Sequence, residues 1–420
     1  MVDTIELVPT AMVAGGDGIA RDADGRVVFV AGALPGERVR ARLRHAKRDY
    51  ARATTIDVLE PSPWRAEPPC PFVARGCGGC GWQHVTPEGQ RALKRDIVRD
   101  ALRRIAKLDG AHAHEVVREV VALPDTGYRT SARVAIDRGR AGFRRANRHD
   151  VVNVDACLVA HPLLEALFRE GRFGRAREVE LRVGARTGDR NALCDPSADG
   201  VELPDDVVVI GTDDLAAGRE AAIEEVAAGR RWRISAPSFF QVRPDGADTL
   251  ADLVTAAAGA PATVADLYSG VGLFAGVLAA RGARVVAVEG DPSAAADARH
   301  NLAGLRAEVV AADVHDWRPA GRFDVVVADP SRHGLGSRGV ETVLAGAPER
   351  IVLVSCDAAA LGRDAGLLAA SGFEVEEVVP VDLFPQTAHV ETVGCFRRAR
   401  PPRSGMSRRS GGLGGTPVMK

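Results

Sequence analysis

Short apolar strands alternate with helices in the C-terminal part of the chain, and this alternation restricts the fold more than any other feature. A glycine turn and a helix follow the first strand, and a helix ending near Leu302 follows the second. Repeated βαβ units of this kind predict a mostly parallel sheet with helices on its faces. The predicted strands are Thr263–Leu267, Arg284–Glu289, Glu308–Ala311, Phe323–Ala328 and Ile351–Val354.

The turn after the first strand contains Gly270 and Gly272, which let the backbone approach a ligand closely. The second strand ends in Glu289, whose carboxylate can accept hydrogen bonds from both hydroxyls of a ribose. Both dinucleotides and S-adenosylmethionine fit this layout. A dinucleotide site usually has a third glycine at the position of Ala275, but the motif tolerates alanine there. The glycines alone therefore leave the cofactor open.

Two further acids, Asp313 and Asp329, follow the third and fourth strands. Carboxylates at these places suit an adenine amino group and a cationic, amino-acid-bearing sulfonium rather than a diphosphate. An aspartate at a strand end often only caps the next helix. As an ordered set, however, the acids favour S-adenosylmethionine.

A cysteine, Cys356, follows the fifth strand, at the carboxyl edge of the sheet, where the active sites of α/β proteins usually lie. A lone cysteine there is more often a small buried hydrophobe. The segment Phe384–Glu391 changes that balance, because it adds a carboxylate, Glu391, to the candidate site. We therefore predict that Cys356 is a nucleophile.

The N-terminal part of the chain has a different pattern. From Ile5 to Leu59, apolar and polar residues alternate between glycine-rich turns, which predicts short antiparallel strands closed into a small β-barrel. Prolines between positions 61 and 71 then mark a boundary. Pro87–Leu108 has helical periodicity and Tyr128–Val152 again indicates strands, so we predict a central α+β domain.

Four cysteines in the central part can bind a metal. Cys70, Cys77 and Cys80 are clustered, glycines surround the last two, and Cys157 lies further along the chain. Four thiolates are the right number of ligands both for a zinc ion and for an iron–sulfur cluster, so the number alone does not separate them. The seven cysteines of the chain are odd in number and unevenly spaced, which favours metal binding or catalysis over a disulfide framework.

The net charge of −1 does not by itself indicate a nucleic-acid partner. Arginines are nevertheless crowded between positions 38 and 52 and between 129 and 148, where they can contact phosphates. No apolar run approaches the ~20 residues needed to cross a bilayer. We expect a cytoplasmic monomer with no membrane partner.

Five motifs occur in the same order as in the RNA uracil-5 methyltransferase family, which this chain resembles. They are Ser238-Phe239-Phe240-Gln241-Val242, Asp266–Gly272, Asp329–Gly334, Ser355-Cys356-Asp357 with Arg363-Asp364, and Asp382–Glu391. The resemblance implies a Rossmann-like class I methyltransferase domain that uses S-adenosylmethionine. It also implies site roles: Cys356 is the nucleophile, Glu391 is the base, and the cofactor and substrate site is lined by Gln241, Tyr268, Gly270, Gly272, Glu289, Asp313 and Asp329.

The chemistry of uracil explains these residue types. C5 of uracil is a poor nucleophile, and addition of a thiolate at C6 makes it electron-rich. After methyl transfer, a carboxylate such as Glu391 can remove the C5 proton so that the thiol can depart. A nearby cation, for which Arg332 is the candidate, would lower the pKa of the thiol.

The remaining parts of the chain extend the resemblance. The stretch from Val27 to Val39 resembles the RNA-binding TRAM domain, an OB-like barrel. Cys77–His84 resembles a subset of the family in which four cysteines, here Cys70, Cys77, Cys80 and Cys157, hold a [4Fe–4S] cluster. The resemblance implies RNA as partner, with 23S rRNA favoured over tRNA. The predicted domains are 1–60 (TRAM-like), 61–235 (central), 236–398 (methyltransferase) and 399–420 (disordered basic tail).

Three alternatives remain at this point: a tRNA uracil-5 methyltransferase, a non-catalytic RNA-binding iron–sulfur protein, and a DNA cytosine-5 methyltransferase. The last uses the same thiol addition, but its nucleophile characteristically follows proline, whereas Ser355 precedes Cys356 here. The chain also departs from the family pattern at Asp357, where asparagine is usual. We expect the Asp357 carboxylate to oppose ionisation of the neighbouring thiol.

Overall fold

The computed structural model describes residues 4–146 and 148–399, and its first part is a six-stranded sheet. The strand order is β1-β5-β6-β4-β3-β2, with β4 and β6 parallel and the other pairs antiparallel. Leu7 of β1 and Ala20 of β3 bury in the same core, so the sheet wraps around one interior, as a small barrel requires. The strands are β1 Thr4–Leu7, β2 Ala11–Met12, β3 Gly18–Arg21, β4 Val27–Ala31, β5 Arg38–Ala46 and β6 Tyr50–Glu60.

The central part combines helices with a second six-stranded sheet, of order β14-β12-β11-β7-β8-β9. Its helices are α1 Pro71–Ala74, α2 Pro87–Arg104, α3 Gly110–Val116, α4 Pro162–Glu170 and α5 Thr212–Ala216. Its strands are β7 Ser131–Asp137, β8 Arg140–Arg144, β9 Val151–Asn153, β10 Arg172–Phe173, β11 Glu178–Val183, β12 Arg190–Asp195, β13 Val201–Glu202, β14 Val207–Gly211, β15 Ala222–Ala227 and β16 Arg230–Ser235.

The C-terminal part is a seven-stranded sheet of order β19-β18-β17-β20-β21-β23-β22. β23 runs antiparallel to β21 and β22, and the other six strands of this sheet run in one direction, which confirms the predicted mostly parallel sheet. Its strands are β17 Thr263–Leu267, β18 Arg284–Glu289, β19 Ala307–Ala311, β20 Val325–Ala328, β21 Arg350–Ser355, β22 Phe373–Val381 and β23 Glu391–Arg398. Its helices are α6 Pro244–Ala258, α7 Leu273–Ala280, α8 Pro292–Asn301, α9 Gly336–Ala345 and α10 Ala358–Ala370.

Two elements from residues 61–235 pack against helices of this C-terminal part. Helix α2 lies on α10, where Gly362 allows close approach: a Cβ at this position would lie 2.9 Å from the carbonyl oxygen of Ala101. The β15–β16 hairpin buries Trp232 against Gly276 of α7. The core of the C-terminal part is therefore completed by residues that precede it in the chain.

Two further predictions concern the termini and the membrane. Apart from Ala399, the predicted basic tail lies outside the described residues. Within the described ranges, every helix is too short or too polar to cross a bilayer.

Candidate active site

Cys356 lies directly after β21, at the carboxyl edge of the parallel strands. Cys356 is partly exposed, whereas most of the strand that precedes it is buried. Burial, together with the smaller effects of the charges of Glu391 and Asp329, raises the pKa of the thiol to about 11. The thiol of the free protein is therefore protonated at neutral pH.

Asp357, the residue after Cys356, caps helix α10. Its carboxylate accepts a hydrogen bond from the backbone N–H of Ala360 at 2.7 Å. A capping carboxylate is stabilised by the amides and dipole of the helix. The negative charges of Glu391 and Asp329 raise the pKa of the thiol. The effect of Asp357 on Cys356 stays a prediction.

Glu391 begins β23 and is 4% exposed. Burial and the charge of Asp329 raise the pKa of its carboxyl well above the usual range. Asp329 follows β20 and retains some exposed surface, but burial raises the pKa of its carboxyl to about 7. Both acids therefore hold their protons more strongly than isolated carboxyls do.

Arg332 supplies a positive charge to this site. Its guanidinium lowers the pKa values of both Cys356 and Glu391, against the larger effect of burial. The side chain lies on an exposed turn after β20. Its effect on Cys356 agrees with the prediction that this arginine favours the thiolate.

The glycine turn after β17 has an unusual backbone. Tyr268, Gly270 and Gly272 have positive φ values of 59°, 55° and 94°. Such a conformation costs free energy for tyrosine and is common at functional sites. Glu289, at the end of β18, accepts hydrogen bonds from Gly270 N at 2.7 Å and from Asp291 N at 2.7 Å, and this holds the turn against the next strand.

The other acids of the predicted cofactor site differ in their surroundings. Asp313 is exposed, and its carboxylate accepts a hydrogen bond from His315 N at 2.8 Å. Asp266, within the glycine motif, is fully buried and accepts from Ala275 N at 2.8 Å. Burial raises the pKa of Asp266 to about 8.

The segment that contains Gln241 is anchored to α8 by a buried carboxylate. Asp297 accepts hydrogen bonds from Ser235 N at 2.8 Å, Ser235 Oγ at 2.8 Å and Ser238 Oγ at 2.7 Å. Gln241 is buried. The role of Asp297 was not predicted, because it depends on contacts across more than 50 residues of sequence.

Three aromatic residues of the sequence motifs, Phe239, Phe240 and Phe384, differ in their exposure. Phe239 is 64% exposed, whereas Phe240 is buried in the core between hairpin and sheet. Phe384 is half-buried, with its ring 6.2 Å from that of His389. Phe239 and Phe384 thus remain available for a base, and Phe240 has a structural role.

The four clustered cysteines line one cavity of about 40 Å³ together with apolar side chains. Cys70 N donates to Gln83 Oε1 at 3.1 Å, and Cys157 N donates to Glu165 Oε2 at 2.8 Å. Burial raises the pKa of Cys80 to about 11. Throughout residues 4–146 and 148–399, no three His, Cys, Asp or Glu side chains are arranged to hold a single metal ion.

Some of the crowded arginines already have acidic partners. On β5, Arg38 is paired with Glu60 at 2.7 Å and Arg40 with Asp57 at 2.9 Å. In the second crowded stretch, Arg133 is paired with Glu180 at 3.2 Å. Phosphate contacts by these arginines would compete with exposed ion pairs, which stabilise proteins only weakly.

Comparisons with known proteins agree with this architecture. Residues 264–348 match the methyltransferase domain family, and residues 12–56 match the TRAM domain family. An RNA methyltransferase of Gloeobacter violaceus is 36% identical over 447 residues, covering 94% of this chain and 97% of that protein. One from Streptomyces coelicolor is 36% identical over 431 residues, covering 94% and 92%.

A solved structure is similar over nearly the whole chain. The tRNA (uracil-54, C5)-methyltransferase of Pyrococcus abyssi, in complex with S-adenosyl-L-homocysteine, has a TM-score of 0.69 and 25% identity. The match covers 93% of this chain and 99% of that one. Fold and site define a class I methyltransferase that uses S-adenosylmethionine and has an N-terminal TRAM domain. With these relatives, the chain belongs to the RNA methyltransferase family, and RNA is its partner.

Proposed function

We propose that the protein transfers a methyl group from S-adenosylmethionine to C5 of a uridine in structured RNA. The proposal rests mainly on the pairing of β21 with β23, in which Ser355 lies opposite Thr392. Cys356 and Glu391 adjoin these two residues and therefore lie at one place on the sheet edge. A nucleophile and a base in one site are what uracil C5 methylation needs. The presence of both residues argues against a non-catalytic RNA-binding protein.

In the proposed reaction, the thiolate of Cys356 forms a bond to C6 of the uracil, which should be flipped out of any stack. The electron pair of the C5–C6 double bond moves toward O4, and C5 then takes the methyl group from the cationic sulfonium, leaving neutral S-adenosylhomocysteine. Glu391 removes the C5 proton. The C6–S bond then breaks and returns the thiolate to the protein.

The charges of the site affect when each group ionises. The raised pKa values of Asp329 and Glu391 favour their neutral forms in the free protein. A cationic cofactor beside Asp329 would lower the pKa of that carboxyl. Arg332 would favour the thiolate of Cys356 and the carboxylate of Glu391.

We propose 23S rRNA as the substrate, because a barrel joined to a cysteine cluster resembles the ribosomal members of the uracil-5 family. tRNA is the second candidate, because the similar Pyrococcus abyssi structure is that of a tRNA enzyme. Mapping 5-methyluridine in 23S rRNA and tRNA from a strain that lacks the gene distinguishes them. Loss of a methylated uridine from tRNA alone would contradict the 23S assignment.

We also propose that Cys70, Cys77, Cys80 and Cys157 hold a [4Fe–4S] cluster with a structural role. The four thiols line one cavity, and four thiolates are the usual ligands of such a cluster. Anaerobically purified protein should be brown, absorb near 400 nm and contain iron and sulfide. A colourless protein that contains zinc would contradict the assignment.

The release of tritium tests the reaction itself. RNA labelled with tritium at uracil C5 should release label to water when the wild-type protein and S-adenosylmethionine are added. Cys356→Ala should release none, whereas Cys194→Ala, a buried cysteine of β12, is the matched control and should keep the activity. Release by Cys356→Ala at the wild-type rate would refute the proposed mechanism.

A further inference from the structure

A buried lysine on α2 contacts the loop that leads into Glu391. This segment, residues 382–390, is called the catalytic loop below. The Lys94 side chain is fully buried, and its Nζ donates to Asp382 Oδ1 at 2.5 Å and to the Phe384 carbonyl oxygen at 3.0 Å. One ammonium group therefore fixes both the start of the loop and the backbone of its aromatic residue.

One helical turn earlier, Gln90 contacts the same loop and is 1% exposed. Its Oε1 accepts from Gln386 N at 2.7 Å, and its Nε2 donates to Gln386 Oε1 at 3.0 Å. Nε2 also lies within hydrogen-bond distance of the carbonyl oxygens of Trp82 and Val85. Gln386 has a positive φ of 68°, which a non-glycine residue keeps only when its surroundings hold it.

Other anchors of the catalytic loop also come from outside residues 236–398. Trp82 N donates to the Gln386 carbonyl oxygen at 2.9 Å, and the Tyr128 hydroxyl donates to the Pro385 carbonyl oxygen at 3.1 Å. The Trp82 indole donates to the Gly16 carbonyl oxygen of the N-terminal sheet at 3.1 Å. Trp82 stands two residues after Cys80, so the cysteine segment and the catalytic loop are directly joined.

Burying an ammonium and an amide costs free energy unless every group finds a partner, and apolar side chains would pack α2 against the sheet at lower cost. Polar groups at these positions instead specify one conformation of the loop. We propose that Gln90 and Lys94 are positioning residues for methyl transfer, holding the catalytic loop so that Phe384 and Glu391 keep their places. This inference rests on the proposed function.

The test separates positioning from stability. Lys94→Met leaves Asp382 buried without a partner and should lower the melting temperature. The double variant Lys94→Met with Asp382→Leu removes both charges and should restore the melting temperature, but it cannot hold the Phe384 carbonyl oxygen. We expect its kcat for tritium release to stay at least tenfold below wild type, and up to about 100-fold, because small misplacements at active sites have effects of that size. Its Kd for S-adenosylmethionine should stay within about twofold of the wild-type value.

The control is Arg103→Met on the same helix, where the side chain is exposed and paired with Asp100. Gln90→Met should lower kcat in the same way as the double variant. Recovery of kcat together with melting temperature in the double variant would overturn the positioning role. Failure of the wild-type protein to release tritium would instead contradict the proposed function.

Discussion

Cys356 should react with iodoacetamide far more slowly at neutral pH than an ordinary cysteine, because its thiol is held protonated in the free protein. Burial raises the pKa of this thiol to about 11. At pH 7.5 such a thiol is ionised to about 3 parts in 10,000, against about 1 part in 10 for a thiol of pKa ~8.5. The population of thiolate is therefore roughly 300-fold smaller.

The higher basicity of this thiolate offsets part of the difference. With a Brønsted slope of about 0.4–0.5, a thiolate that is more basic by this amount is roughly 10 to 20 times more reactive. The expected net effect is alkylation about twentyfold slower than for an ordinary cysteine at pH 7.5. Because Cys356 is only partly exposed, the pH dependence is a better test than the absolute rate.

The assay follows the peptide that contains Cys356 by mass spectrometry after timed alkylation between pH 6.5 and 10.5. The logarithm of the rate should rise by about one per pH unit up to about pH 10. Arg332→Gln should move the curve to higher pH and Glu391→Gln to lower pH, since each removes a charge that affects the thiol. Arg322→Gln, in an exposed ion pair with Glu349, is the matched control. A plateau below pH 8 in the wild-type protein would refute the reasoning.

Three other measurements concern the buried acids. Glu391→Gln should lower kcat by about 10² to 10⁴ and let a Cys356–RNA adduct accumulate on denaturing gels; unchanged turnover would assign proton removal to another group. Below pH 7, each unit of rising pH should lower the calorimetric Kd for S-adenosylmethionine by up to about tenfold, because Asp329 ionises. The Kd for neutral S-adenosylhomocysteine should change less. An equal pH dependence for the two ligands would contradict the role of Asp329. The folded-state pKa of Asp266, about 8, exceeds its unfolded value, so its contribution to stability is complete below about pH 4 and is lost as pH rises through 8. Between pH 5.5 and 8, the wild-type protein should lose on the order of 3 kcal/mol more unfolding free energy than Asp266→Asn, measured by denaturant unfolding. An equally steep loss in the variant would contradict this.

The strands and the acids at their ends were predictable because both follow from local pattern. Runs of apolar residues define the parallel strands, and parallel strands bring their carboxyl ends to one edge. Glu289, Asp313, Asp329 and Cys356 were therefore expected together. The N-cap role of Asp357 also has a local signal, since aspartate followed by an alanine-rich helix is a common helix start.

The supports of the catalytic loop were not predictable in this way. Lys94 and Asp382 are 288 residues apart, and Gln90 and Gln386 are 296 apart. On α2 the two polar residues interrupt an apolar face, and nothing in the local pattern indicates their partners. Only the packing of α2 against α10 and β22 brings them to the loop.

The most direct test of the account is the covalent adduct with RNA that contains 5-fluorouridine. Fluorine at C5 cannot be removed as a proton by Glu391, so the bond between the uracil and the protein should persist after methyl transfer. Digestion of the complex with nuclease and protease, followed by mass spectrometry, should find a methylated fluorouridine nucleotide on Cys356 and on no other cysteine, and only when S-adenosylmethionine is present. Methylation of uridine RNA by a protein that forms no such adduct, or forms it on another cysteine, would contradict the assignment of Cys356 as the nucleophile.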